Sequence, residues 1–213
     1  MTTTALDDVS TEDDRGGGGG SIGAGRGLGW LLAITGALGV LASFVITTDK
    51  IELLKDPNFT PACTVSPIVS CTDVMKSWQA DVFGFPNPVA GLVLYGAVVA
   101  IGMGVVAGAR YRRWFWVGLN IGTFLGTAFC MWLMSQALYD INALCLWCTL
   151  AWLTTLTMFW YTTVHNIKHG IIRVPQGVRG AVLEFHWVVP VLWYGVIALL
   201  ILTNWWTYWS SLL

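Results

Sequence analysis

Five apolar runs set the pattern of the chain, at about residues 28–48, 86–108, 115–138, 143–164 and 187–209. Each comes close to the ~20 residues that an α-helix needs to cross a hydrocarbon layer ~30 Å thick. The largest ordered piece between them is the segment 49–85. The pattern predicts an all-α integral membrane protein with one helical bundle and no second soluble domain. Ahead of the first run, MTTTALDDVSTEDDRGGGGGSIGAGRG (residues 1–27) is acidic, then glycine-rich, with almost nothing to bury, and is expected to be disordered. A secretory leader would begin short and basic, so the first run is read as a retained span.

Composition sharpens this picture. The chain is 55% hydrophobic and 11% charged, against roughly a quarter charged in ordinary soluble domains. Basic residues stay on the cytoplasmic side of a membrane. Arg15, Arg26, Arg110, Arg112, Arg113, Lys168, Arg173 and Arg179 fall on one side of the predicted spans, which is eight of the 11 lysines and arginines. Lys50, Lys55 and Lys76 fall on the other, diluted by Asp49, Glu52, Asp56, Asp73 and Asp81. The amino terminus is therefore expected in the cytoplasm and the 49–85 loop outside. Of the 13 tryptophans, Trp30, Trp114, Trp116, Trp187, Trp205, Trp206 and Trp209 lie at or near span ends, where amphipathic rings favour the interface. No nucleic-acid partner is expected.

The candidate chemistry lies in cysteine. Cys63 and Cys71 fall in the outer loop, and Cys145 and Cys148 open the fourth span on the same side. Four of the five cysteines thus share the oxidising face, where disulfides persist. Cys130, inside the third span, reads as a buried small apolar residue. A Cys-x-x-Cys pair at a helix start puts both sulfurs on one side of the first turn. Unpaired N–H groups and the positive end of the helix dipole stabilise a thiolate there. This is the place for a reactive dithiol able to meet something dissolved in the membrane. Two other readings stand beside it. The four cysteines could staple an outer loop, or they could hold zinc as thiolates, although seven residues between Cys63 and Cys71 exceed the usual spacing of two to four.

Secondary features complete the reading. Val74, Trp78 and Val82 are spaced as one face of an amphipathic lid. Gly118, Gly122 and Gly126 share a face of the third helix that lets a neighbour approach. Asn120, at membrane depth, should face protein. His165, His169 and His186 read as ordinary loop residues away from the thiols.

The two loop cysteines, CTDVMKS from Cys71 to Ser77, Asn87 at the start of the second span and CLWC opening the fourth resemble the vitamin K epoxide reductase family, in its bacterial disulfide-forming branch, over about residues 28–164. The resemblance implies a four-helix transmembrane bundle around a quinone (menaquinone or ubiquinone), in a multi-pass protein of the bacterial inner membrane. With the apolar runs and the basic residues, it divides the chain into a disordered cytoplasmic tail (1–27), the redox bundle (28–164) with outer loop 49–85, and a cytoplasmic loop and fifth transmembrane helix (165–213). It also implies that Cys148 faces the quinone, that Cys145 exchanges with Cys71 after the loop travels to it, and that Cys63 is most open to a partner. Ser77 and Asn87 match family positions, Asn87 as a hydrogen-bond partner for a quinone carbonyl. Their alternatives are a loop turn and a helix cap. Where the animal enzymes carry a substrate-contacting tyrosine, this chain has Trp152, which favours plain quinone reduction over epoxide chemistry. Bacterial relatives often carry a fused thioredoxin-like domain. Without one here, the expected partner is a separate thioredoxin-fold thiol oxidase on the outer side.

Overall fold

The computed structural model describes residues 21–66, 68–206 and 210. The tail 1–20, Pro67 and Trp209 lie outside the described residues. Among those described, seven helices follow one another: α1 (Arg26–Lys55), α2 (Cys71–Lys76), α3 (Asn87–Val106), α4 (Arg113–Gln136), α5 (Leu146–Lys168), α6 (Gln176–Glu184) and α7 (Val188–Asn204). A 3-10 turn covers Trp78–Asp81, and α4 runs on into a π-helical turn at Ala137–Ile141.

Three of these helices are long and apolar enough to cross a membrane: Arg26–Lys55, Asn87–Val106 and Arg113–Ile141. The pair α6–α7, bent by 67° at its break, is a fourth candidate if it counts as one span. The expected fourth span forms a helix of 23 residues, α5, but its threonines lower its hydropathy. Much of that polarity is spent within the helix. Thr149, Thr154, Thr155, Thr157 and Thr163 each donate a hydroxyl to a carbonyl three or four residues back, which lets such residues lie in an apolar setting.

Helix α1 is the centre of the packing. It lies along α3 on one side and α5 on the other, and α5 in turn packs on α4. Helices α3 and α4 scarcely touch, so the ring of four is open between them. Glycines explain the α1–α3 approach. A Cβ on Gly102 would stand 2.6 Å from the Ala33 backbone nitrogen, and one on Gly36 2.8 Å from a Val99 methyl. The glycine face expected on α4 makes no such approach, because Gly118 and Gly122 meet no atom within 4 Å and Gly126 alone faces Thr155. Asn120 does face protein, donating to Thr163 Oγ1 at 2.8 Å.

At the end remote from the cysteine pair, the chain departs from a purely helical, tail-first plan. Ser21–Gly23 forms strand β1, antiparallel to β2 (Arg110–Arg112), so residues 21–27 are built into the structure rather than disordered. Trp116, expected at an interface, is fully buried; its Nε1 donates to Ile22 O at 3.2 Å, and its ring meets that of His165 at 4.2 Å, tilted by 45°. Trp205 is buried too. His165 is a buried member of α5, not a loop residue.

The two glycine sets are separable by mutation. Gly102→Ala should lower stability by about 1–3 kcal/mol through overpacking, measured by thermal unfolding in detergent. Gly122→Ala should leave it unchanged or slightly raised, since Ala is the better helix former.

Candidate functional site

Local rules place each cysteine. The π-turn after α4 ends at Asn142, which adopts a left-handed conformation with φ 54° and ψ 35°. Asparagine tolerates this better than most residues. It reverses the chain into the extended stretch Ala143–Cys145. There Leu144 is strapped to the outer loop: Leu144 N–H donates to Ile68 O at 2.7 Å, and Ser70 N–H donates to Leu144 O at 3.1 Å, a parallel bridge between Val69 and Leu144. Each strapped segment is followed at once by a cysteine at the head of a helix. Ser70 caps α2 by accepting from Asp73 N–H at 3.3 Å, making Cys71 the first helical residue. Cys145 caps α5, its sulfur accepting from Cys148 N–H at 3.4 Å.

The four sulfurs therefore meet. Cys63 and Cys71 form a disulfide with Cα atoms 5.8 Å apart. This bridge and Cys145 share one buried cluster with Ile46, Leu53 and Met75, and Cys148 packs at its edge. Cys145 and Cys148 are free thiols. Cys71 and Cys145 are members of that one cluster, on segments joined by the Val69–Leu144 bridge.

Cys145 lies ahead of the helix itself, and its thiol is held below the ordinary thiol range. The hydrogen bond from the Cys148 side chain is the main cause, helped by the backbone N–H groups of Cys148 and Trp147 against the opposing effects of burial and the Asp49 carboxylate. A thiolate is the nucleophile in disulfide exchange. Cys63 is itself largely buried, but borders an open apolar recess of about 370 Å³ with Ala62, Leu146, Trp147 and Leu150. Cys71 has no exposed surface. Of the loop pair, Cys63 is the one that keeps some exposed surface.

The lid is two short pieces rather than one amphipathic helix, because α2 stops at Ser77. The Ser77 hydroxyl donates to Val74 O at 2.7 Å, a local turn contact. The following 3-10 turn is held from three helices at once. From α1, the buried Lys50 ammonium bonds Asp81 Oδ2 at 2.9 Å and Met75 O at 2.6 Å. From α4 and its π-turn, Gln136 and Asp140 accept from the buried Gln79 amide. From α3, Asn87 Nδ2 donates to Gln79 O at 2.7 Å and its Oδ1 accepts from Val82 N–H at 3.1 Å. Lys50, Gln79 and Asp140 were not singled out by sequence; a lysine within the continuous helix leaving the first apolar run was the available signal. Aromatic rings continue the lid across the open α3–α4 side: Trp78 meets Trp132 at 6.0 Å and Phe83 meets Phe129 at 5.3 Å. Trp152 is buried between α4, α5 and α7, among Cys130, Met134, Leu156 and Ile197.

A model of the vitamin K epoxide reductase family matches residues 30–163, from the first turns of α1 to the last turns of α5. All four clustered cysteines, the strap and the lid fall inside the matched segment, and α7 falls outside it. No curated protein matches the chain.

Lys50→Met should free the lid, because it removes the ion pair and the Met75 carbonyl contact together, at a cost of about 1–3 kcal/mol. Hydrogen exchange should quicken across residues 76–86 and stay unchanged in the middle of α4. Unchanged exchange in the lid would show that Lys50 does not hold it.

Proposed function

The chain belongs to the vitamin K epoxide reductase family, and we propose that it is a membrane thiol:quinone oxidoreductase of the bacterial disulfide-forming branch. In this reading it reoxidises a separate thioredoxin-fold thiol oxidase outside the cytoplasm and passes the electrons to menaquinone or ubiquinone in the inner membrane. The observation that carries it is the packing of a loop disulfide and a free helix-start dithiol in one buried cluster. Support for the orientation comes from the basic residues, which gather at the end opposite the thiols.

The exchange steps follow from the order of exposure. A thiolate of the partner attacks Cys63, forms a mixed disulfide and releases Cys71 as a thiolate. The partner's second thiol resolves that bond, leaving the partner oxidised and the loop pair reduced. Cys71 then attacks Cys145 of the oxidised helix pair, and Cys148 leaves as a thiolate. Cys63 attacks Cys71, restores the loop disulfide and releases Cys145. Two electrons and the two thiol protons have then moved from partner to helix pair. The N–H groups that face Cys145 make it a good leaving group in this last exchange. Each step is isoelectronic disulfide exchange, and the direction comes from the acceptor at the end. Folding oxidants lie near about −120 to −180 mV, and each 30 mV is worth about 1.4 kcal/mol for two electrons.

The interior suits a flat, weakly polar ring. Cys148 is half-buried and touches the apolar cluster of Trp152 and Leu156, the hydroxyls of Tyr95 and Thr155 lie deeper, and the α3–α4 side is unpacked. When bound there, a quinone supplies a two-electron, two-proton acceptor. The chain's own part is to hold the thiols at the mouth of that interior, keep water out with the pinned lid and stabilise the thiolate.

A membrane scaffold with a stapled outer loop is the competing reading, and kinetics separates the two. Folded protein, mixed anaerobically with a reduced thioredoxin-fold partner and a soluble quinone, should bleach the quinone absorbance. Cys148→Ser should cut the rate more than about a hundredfold with its melting temperature nearly unchanged. No bleaching by the folded wild type, across several partners and quinones, would overturn the proposal in favour of the scaffold.

A further inference from the structure

A quinone carbonyl in the interior calls for a hydrogen-bond donor, and Asn87 is the donor that the sequence brings forward. In the structure the Asn87 amide is taken up by the lid backbone at Gln79 and Val82. To serve a ligand it would have to surrender contacts that pin the lid.

The same face of α3 carries another donor two turns deeper, through Gly91 to Tyr95. The Tyr95 ring lies flat against α1 at Gly39, where a Cβ would stand 2.5 Å from Cγ and Cδ1 of the ring. Glycine at position 39 is what lets the phenol cross α1. Beyond it, the hydroxyl reaches α5, 2.6 Å from Thr155 Oγ1 and 3.3 Å from Ala151 O. The Thr155 hydroxyl has Ala151 O as an acceptor at 2.7 Å, which leaves its oxygen able to accept from the phenol; either oxygen can be the donor of the pair. From α4, Cys130 Sγ also points at Thr155 Oγ1, at 3.8 Å. Helices α3 and α5 thus meet at this hydroxyl, with α1 against the ring and α4 reaching only the Thr155 oxygen. It lies on the face of α5 that carries Cys148, about 10 Å deeper by helical rise.

We infer that the Tyr95 hydroxyl is the donor that a quinone carbonyl meets in the bundle interior, and that Thr155 holds this hydroxyl when no quinone is bound. A buried phenol must keep a partner, and Thr155 provides a neutral one. A carbonyl oxygen that gains negative charge on reduction is the stronger acceptor, so transfer of the hydrogen bond from Thr155 favours the reduced ring. Gly39 and Gly91 give the phenol its path, and Asn87 remains a lid anchor. The inference rests on the quinone reading above.

The test uses fully oxidised protein, which has no electrons to give. Short-chain ubiquinone and menaquinone are titrated in detergent, with binding followed by tryptophan fluorescence and the quinone carbonyl stretch by infrared difference spectroscopy. Wild type should bind with one carbonyl shifted to lower wavenumber. Tyr95→Phe, which keeps the ring over Gly39, should lose that shift and bind about fivefold to tenfold more weakly. Thr155→Val should keep the shift, because it removes the resting acceptor and spares the donor. If the wild type binds neither quinone, the quinone reading itself fails. If it binds with the shift and Tyr95→Phe retains it, the quinone reading stands and this inference is overturned. Loss of the shift in Thr155→Val would also overturn it, marking the pair as a clamp between helices. Should Tyr95→Phe not fold, 3-fluorotyrosine labelling, which makes the phenol a stronger donor, must move the stretch further; an unmoved stretch overturns the assignment.

Discussion

Two backbone hydrogen bonds decide where the sulfur atoms of this protein stand. The strap between Ile68–Ser70 and Leu144 ties the outer loop to the segment that enters α5, and a cysteine follows on each side. An isolated bridge of this size contributes about 1–3 kcal/mol net. It persists because Ile68 and Leu144 are buried in one apolar cluster and Cys71, Met75 and Cys145 in the neighbouring one. Both helix starts depend on it. The Ser70 cap fixes Cys71 at the head of α2, and the turn through Asn142 delivers Cys145 to the head of α5. In the proposed relay, exchange runs between two pairs that share one buried cluster.

Around this fixed centre the bundle is asymmetric. One side is closed by the glycine-mediated contact of α1 with α3, and the facing side, between α3 and α4, is left open. The lid spans the thiol end of that gap and is anchored to α1, α3 and α4 by Lys50, Asn87, Gln136 and Asp140. A gap covered at its thiol end and unpacked between α3 and α4 is what the proposed dithiol, serving a membrane-soluble acceptor, would require. The lid contacts are polar and partly buried, so their loss is costly, and they come from residues that also shape the spans.

Much of this was legible in the amino-acid order. Apolar runs of span length marked α1, α3 and α4, and the Cys-x-x-Cys pair at a helix start marked the reactive end. What escaped were contacts that leave no side-chain signature. The strap is made by backbone groups of Ile68, Ser70 and Leu144, and no residue type announces it. The working glycines are Gly29 against Gly102, Gly36 against Val99 and Gly39 against Tyr95, not a trio four residues apart, while the regular trio on α4 has little to approach. Asn87 was correctly seen as a polar residue at a helix start, but sequence could not tell that its partners were the backbone at Gln79 and Val82. Trp116 and His165 looked like boundary residues because periodicity does not reveal that the β1–β2 ribbon meets Trp116 and that Trp116 in turn packs on His165.

Exchange of Cys71 with Cys145 across the strap, without a change of fold, is the step on which the relay depends. Replacing Cys63 with serine removes the thiol that resolves their mixed disulfide. After oxidation of the purified Cys63→Ser protein, peptide mapping under non-reducing conditions should find Cys71 joined to Cys145, with Cys148 free to alkylate. A Cys71 that stays a free thiol beside an intact Cys145–Cys148 bond, or that joins Cys148 instead, would contradict the relay.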